Sequence, residues 1–119
     1  MDGSSITKGV VHAYQVTREF NQRACEAWAL RLLGEIASHR NAPDFAKAED
    51  SYGQALTLAD ELGMRPLAAH CHLGLAKLHR LSDRRAQTAE HLDAALTMFR
   101  EMGMRPWLEQ AEAESKALG

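Results

Sequence analysis

Gly63-Met64-Arg65-Pro66 recurs unchanged as Gly103-Met104-Arg105-Pro106. Each copy closes a run with helical apolar spacing, and each is followed by a large apolar residue, Leu67 or Trp107. Glycine suits the left-handed position just past a helix. The next residue can fold back onto the last turn, and proline fits the opening of the following helix. A strong helix stop repeated at a fixed interval says that the chain is built from copies of one helical unit.

The interval from Gly63 to Gly103 is 40 residues, and residues 27–66 laid over 67–106 without gaps give fourteen identities. Among them are Leu33 with Leu73, Gly34 with Gly74, His39 with His79, Arg40 with Arg80, and Ala55-Leu56-Thr57 with Ala95-Leu96-Thr97. A period between about 20 and 50 residues marks an array in which each unit buries its apolar face on its neighbours.

Working outward, the apolar spacing predicts helices near residues 6–22, 26–39, 45–62, 66–80 and 84–102, and a sixth from Pro106. A short turn is expected near Arg23 to Cys25. Asn41 or Asp44 is available to cap the third helix, and Ser82-Asp83 to cap the fifth. The three prolines, at 43, 66 and 106, fall where helices begin. No segment alternates with period two over a useful length, so no strand is predicted. In the helix over 26–39, Ala29, Leu30, Leu32, Leu33, Ile36 and Ala37 cover more than one face, as expected for a helix packed on both sides.

Composition narrows the function classes. The chain has 119 residues, 45% hydrophobic and 25% charged, which fits one ordinary domain. A net charge of −2 with no basic stripe gives no footprint for nucleic acid. No apolar run approaches the roughly 20 residues of a membrane-spanning helix. Cys25 and Cys71 are too few for a disulfide framework, so a reducing, cytoplasmic setting is expected. Residues 1–5 read as a loose end.

The histidines invite a metal reading. His70, Cys71 and His72 are adjacent, but neighbours on a helix point about 100° apart and cannot share a site. His72 and His79 share a face about 10 Å apart by helical rise, too far for one ion without outside ligands. No nucleophile has a local motif and no glycine-rich phosphate loop exists, so no enzyme, metal or cofactor is expected. His39 and His79 each precede an arginine at a helix end, where cations interact favourably with the last carbonyls. Cys71 reads as a small buried hydrophobe.

Leu33-Gly34 and Leu73-Gly74, followed by Ala48, Tyr52 and Ala55 in one copy and Leu92 and Ala95 in the other, resemble the tetratricopeptide pattern. The period is 40 rather than 34, and Thr88 stands where the family has the first alanine of its second helix. The longer unit is similar to the extended arrays of bacterial signalling ATPases, the cyclase-fused and maltose-regulator-like proteins. The resemblance covers roughly residues 24–115. It implies an all-α, right-handed antiparallel helix-pair solenoid of about six helices. Residues 6–26 would then be a helix of an incomplete preceding repeat, 27–66 and 67–106 two repeats, and 107–119 a capping helix. Gly34 and Gly74 would let helices approach closely.

The repeats disagree most where Arg31, Glu35 and Ser38 become Cys71, Leu75 and Leu78. In the resembling family these positions tend to line the concave groove. The implied peptide-binding groove is Arg31, Glu35, Ser38, His39, Cys71, Leu75, Leu78 and His79, charged at one end and apolar at the other. Leu75 and Leu78 are either an exposed apolar patch or core covered by the terminal helix. The expected function is a scaffold for a protein or peptide partner. The alternatives are self-association, or a regulatory role inside a larger ATPase or cyclase-type protein, with Val10, Tyr14 and Phe20 as the sticky surface. A small metal-binding domain or enzyme is the remaining rival.

Overall fold

The computed structural model describes residues 3–40 and 43–118. It is all-helical, with five helices and no strand among the described residues. They are α1 (Gly3–Ser38), α2 (Phe45–Leu62), α3 (Arg65–Leu81), α4 (Arg85–Glu101) and α5 (Arg105–Leu118). Each helix packs on the next, and α1 and α5 also reach α3. The molecule is elongated, 66 × 31 × 21 Å.

The first two expected helices are one. α1 runs straight through Arg23, Ala24 and Cys25, where a turn was expected. No Gly, Pro or capping side chain lies in that stretch, and Arg and Ala favour the helix. Residues 3–5 belong to its first turn instead of a loose end, whereas Met1 and Asp2 lie outside the described residues. Only Ala27, Gly34 and Ala37 of α1 are buried, all in its C-terminal half against α2. Leu32, Leu33 and Ile36 are about half exposed, so this helix is packed on one side, not two.

The repeated motif closes both α2 and α4 in one geometry. Gly63 and Gly103 are left-handed, with φ of 70° and 67°. The Met64 N–H donates to the Ala59 carbonyl at 2.8 Å, and Met104 N–H to Phe99 at 3.0 Å. These bonds satisfy carbonyls that the helix leaves free. α3 ends the same way on a residue without glycine's freedom: Asp83 has φ of 61°, and Arg84 N–H donates to His79 at 2.8 Å. Ser82-Asp83 is therefore the close of α3 and not the cap of α4. That cap is Arg84, without a side-chain hydrogen bond. At α2, Asp44 is the cap and accepts from Lys47 N–H at 3.1 Å; Asn41 lies outside the described residues.

The core is continuous along the helix series. Ala27, Ala55, Ala59, Leu67, Ala68 and Cys71 join α1, α2 and α3. Leu73, Leu92, Phe99 and Ala111 join α3, α4 and α5, with Trp107 against them. Tyr52, 3% exposed, occupies the junction of α1, α2 and α3. A Cβ at Gly34 would stand 3.0 Å from its ring, and one at Gly74 only 2.5 Å. The two glycines of the repeat thus flank a single tyrosine.

This geometry ranks two substitutions. Gly74→Ala forces the Tyr52 ring to move and should cost about 2–3 kcal/mol of stability. Gly34→Ala needs a shift of a few tenths of an ångström, and alanine's helix preference of about 1 kcal/mol offsets it. Urea unfolding of both variants checks the order; equal midpoints would remove the tyrosine from this role.

Candidate functional site

α1, α3 and α5 together enclose a cavity of about 90 Å³. Arg31, Glu35 and Ser38 line it from α1, His39 from just past the end of that helix, and Trp107 from α5. From α3 come His70, Leu73, Gly74, Lys77, Leu78 and Leu81, with Tyr52 at the base. The volume is well below the roughly 300–1,000 Å³ of small-molecule sites. It suits one inserted side chain.

The α1 half of the expected groove lines this cavity. The α3 half divides. Leu78 lines it, but Cys71, Leu75 and His79 are at most 4% exposed, and none of the three is a lining residue. Leu75 and Leu78 pack with Ala37, Ala48 and Tyr52, so they are covered by α1 and α2, neither exposed nor under the terminal helix. The difference between repeats follows from this packing. α3 buries Cys71, Leu75 and Leu78 against α1 and α2, whereas Arg31, Glu35 and Ser38 at the same positions of α1 are only partly buried. The cavity lies between the two helices, so α3 presents the rows 70, 74, 77 and 81, one position away. Lys77 and Leu81 were missed for this reason, and the i, i+3, i+4, i+7 spacing of 70, 73, 74 and 77 was the available signal.

Arg31 is the central polar group. Its Nη2 donates to Glu35 Oε1 at 2.8 Å, and its guanidinium carbon stands 5.8 Å from the Trp28 ring centroid. Its Nε is buried with no hydrogen-bond partner among the described residues. His70 Nδ1 is in the same condition. The His70 ring meets Trp107 edge-on with centroids 4.3 Å apart, and Phe99 at 5.4 Å. Burial lowers the His70 pKa from 6.5 to about 4, and Arg31 acts in the same direction. The imidazole is therefore neutral at pH 7.

The repeated His39 and His79 differ. His39 Nδ1 meets the Glu35 carbonyl at 2.8 Å, a hydrogen bond to the last turn. His79 is buried, its Nδ1 has no partner, and burial lowers its pKa. It is not a cationic device at the helix end. His91 of α4 stands between His72 and His79, with centroids 5.3 and 5.5 Å away. His72 Nδ1 and His91 Nδ1 are 3.1 Å apart, so one imidazole donates and the other accepts. No group of three His, Cys, Asp or Glu placed to hold a metal occurs among the described residues. The Cys71 thiol is pushed by burial to about 12 and is unreactive in the core. No helix among the described residues is long and apolar enough to cross a membrane.

Comparison with known protein families, curated proteins and solved structures finds no match.

The buried imidazole makes stability depend on pH. The folded pKa of His70 lies below its ordinary 6.5, so the unfolded chain takes the proton first. Its contribution is complete above pH 6.5 and is lost as pH falls toward 4, amounting to about 2 kcal/mol at pH 5. Burial lowers His72 and His91 in the same direction. Thermal melts at pH 7.5 and 5 should show a lower midpoint at pH 5, with His70→Phe reducing the difference. A His70→Phe variant that keeps the full difference would exclude His70 as its source.

Proposed function

We propose that the chain is a tetratricopeptide-like repeat module, a right-handed antiparallel helix-pair solenoid, that holds a protein or peptide partner on its concave side. That side is formed by α1, α3 and α5, the first helix of each unit. The module is non-catalytic, works in the cytoplasm, and fits the signalling and regulatory settings of the extended arrays it resembles.

One observation carries the reading. Arg31 Nε is a buried donor without a partner, in a cavity shared by those three helices. An unpaired buried donor is costly, by roughly 1–3 kcal/mol, and a partner's carbonyl or carboxylate relieves it. Glu35 holds the guanidinium from one side at 2.8 Å, leaving Nε for the ligand. Lys77 adds a second positive charge, and Leu81, 58% exposed, adds an apolar contact at the rim. The partner engages by one inserted side chain and backbone hydrogen bonds, a peptide-in-groove mode. The repeat itself supports the architecture: the 40-residue period maps α2 onto α4 and α3 onto α5, with the same closure at each joint.

A displayed library of random peptides supplies the test. Peptides selected on the wild-type chain should bind Arg31→Gln or Leu81→Asp at least about tenfold more weakly, the effect of losing one charge-assisted hydrogen bond or one apolar contact. Leu75 and Leu78 are unsuitable targets because they are core. Peptides that bind all three proteins equally would end this reading of the cavity.

A further inference from the structure

The longest helix leaves most of itself uncovered. None of the residues of α1 from Gly3 to Glu26 is buried. In proteins most helical stability comes from tertiary packing of an apolar face, so the overhang calls for a partner. Ten large apolar side chains of α1 are exposed, and half of them, Val10, Tyr14, Trp28, Leu32 and Ile36, fall on one side of the helix. Val10, Tyr14, Leu32 and Ile36 are 64%, 65%, 55% and 50% exposed, and Cys25 is exposed with them.

With Asn21, these positions are spaced four, seven, four, seven and four residues apart. That is an 11-residue repeat of about 3.67 per turn, close to the helix's own 3.6, so all six stay on one side of a nearly straight helix. The side lies away from Ala27, Gly34 and Ala37, which face α2. From Val10 to Ile36 it runs about 39 Å.

The pattern is symmetric about Arg23. Position 10 stands as far before it as 36 stands after, and the same holds for 14 with 32 and 21 with 25. We propose that this face is a homodimer seam, in which two copies pair their α1 helices antiparallel about a two-fold axis at Arg23. Val10 then meets Ile36 of the second copy, and Tyr14 meets Leu32. Arg18 and Trp28 obey the same symmetry, which places a guanidinium beside the partner copy's indole, a favourable cation–π pair. A parallel pair would instead set Arg18 against Arg18 and align the two helix dipoles. Antiparallel pairing lays each overhang along the half-helix that carries the other copy's α2, on the side that α2 leaves free. A two-fold seam of this kind is self-complementary and closes at two copies. Its rows of α1 are not the cavity rows, although Trp28 adjoins Arg31, and its test reads mass instead of peptide binding.

Light scattering during size exclusion of the 119-residue chain reads the outcome. The expected mass is twice the 13.2 kDa of one chain. Val10→Asp with Leu32→Asp should return the single-chain mass and keep a cooperative thermal unfolding transition, with helical circular dichroism falling by no more than the share of the overhang, since both side chains are exposed. Orientation is read in a Cys25→Ser background under mild oxidation. Tyr14→Cys together with Leu32→Cys should give a covalent dimer, and either alone should give none. A monomer at every concentration, including one that adheres instead to lipid vesicles or to an unrelated helix, overturns the proposal. So does a dimer that survives both aspartates, or a covalent dimer from Tyr14→Cys alone.

Discussion

The arrangement of the first three helices depends on one aromatic ring. Tyr52 rises from α2 into the space between α1 and α3, and Gly34 and Gly74 make room for it on either side. The contact fixes how closely α1 approaches α3, and through that spacing the width of the cavity whose base the ring forms. Burial holds the phenol pKa up to about 12, with Ser38 pulling the other way. The ring is therefore neutral. Packing and site share a residue, so a change that loosens the junction also opens the cavity.

Around that junction, ion pairs between residues 34 to 38 positions apart in the chain link neighbouring helices. Arg65 reaches Glu101 at 2.5 Å, Arg80 reaches Glu114 at 2.8 Å, and Arg23 pairs with Glu61. Arg65–Glu101 and Arg23–Glu61 are about half exposed, where such pairs are screened and contribute little, typically up to about 1 kcal/mol. Apolar burial holds the helices together; the pairs set their register. Arg65, a residue of the repeated motif, is part of a joint in this sense as well.

The parts of the fold legible in the sequence were those announced by residues with special backbone behaviour. Gly63, Gly103 and Pro66 mark joints directly, and the spacing placed α2, α3 and α4 within a residue or two of their observed ends. The continuity of α1 was not legible from the expected two-helix unit, because nothing at Arg23-Ala24-Cys25 marks a break; the absence of a stop was itself the signal. For the cavity, Arg31, Glu35, Ser38 and His39 were legible because polar residues stand there at helical spacing, three of them where the second repeat has Cys71, Leu75 and Leu78. The matching α3 residues were not. Repeat equivalence assigns equal roles to equal positions, whereas the two helices face the same cavity from opposite sides. Which side of a helix is covered is decided by its neighbours, and periodicity alone does not name them.

The two cysteines have unequal fates, and that has a practical side. Cys71 is fully buried, with its thiol held in the neutral form, while Cys25 is exposed near the middle of α1. A thiol-directed fluorophore therefore has one exposed target in the single unaltered chain, Cys25 on the longest helix, away from the cavity and on the face proposed to pair with a second copy. The protein carries its own single-site reporter: colour from Cys25 follows what approaches α1, and labelling at Cys71 begins only when the core has opened.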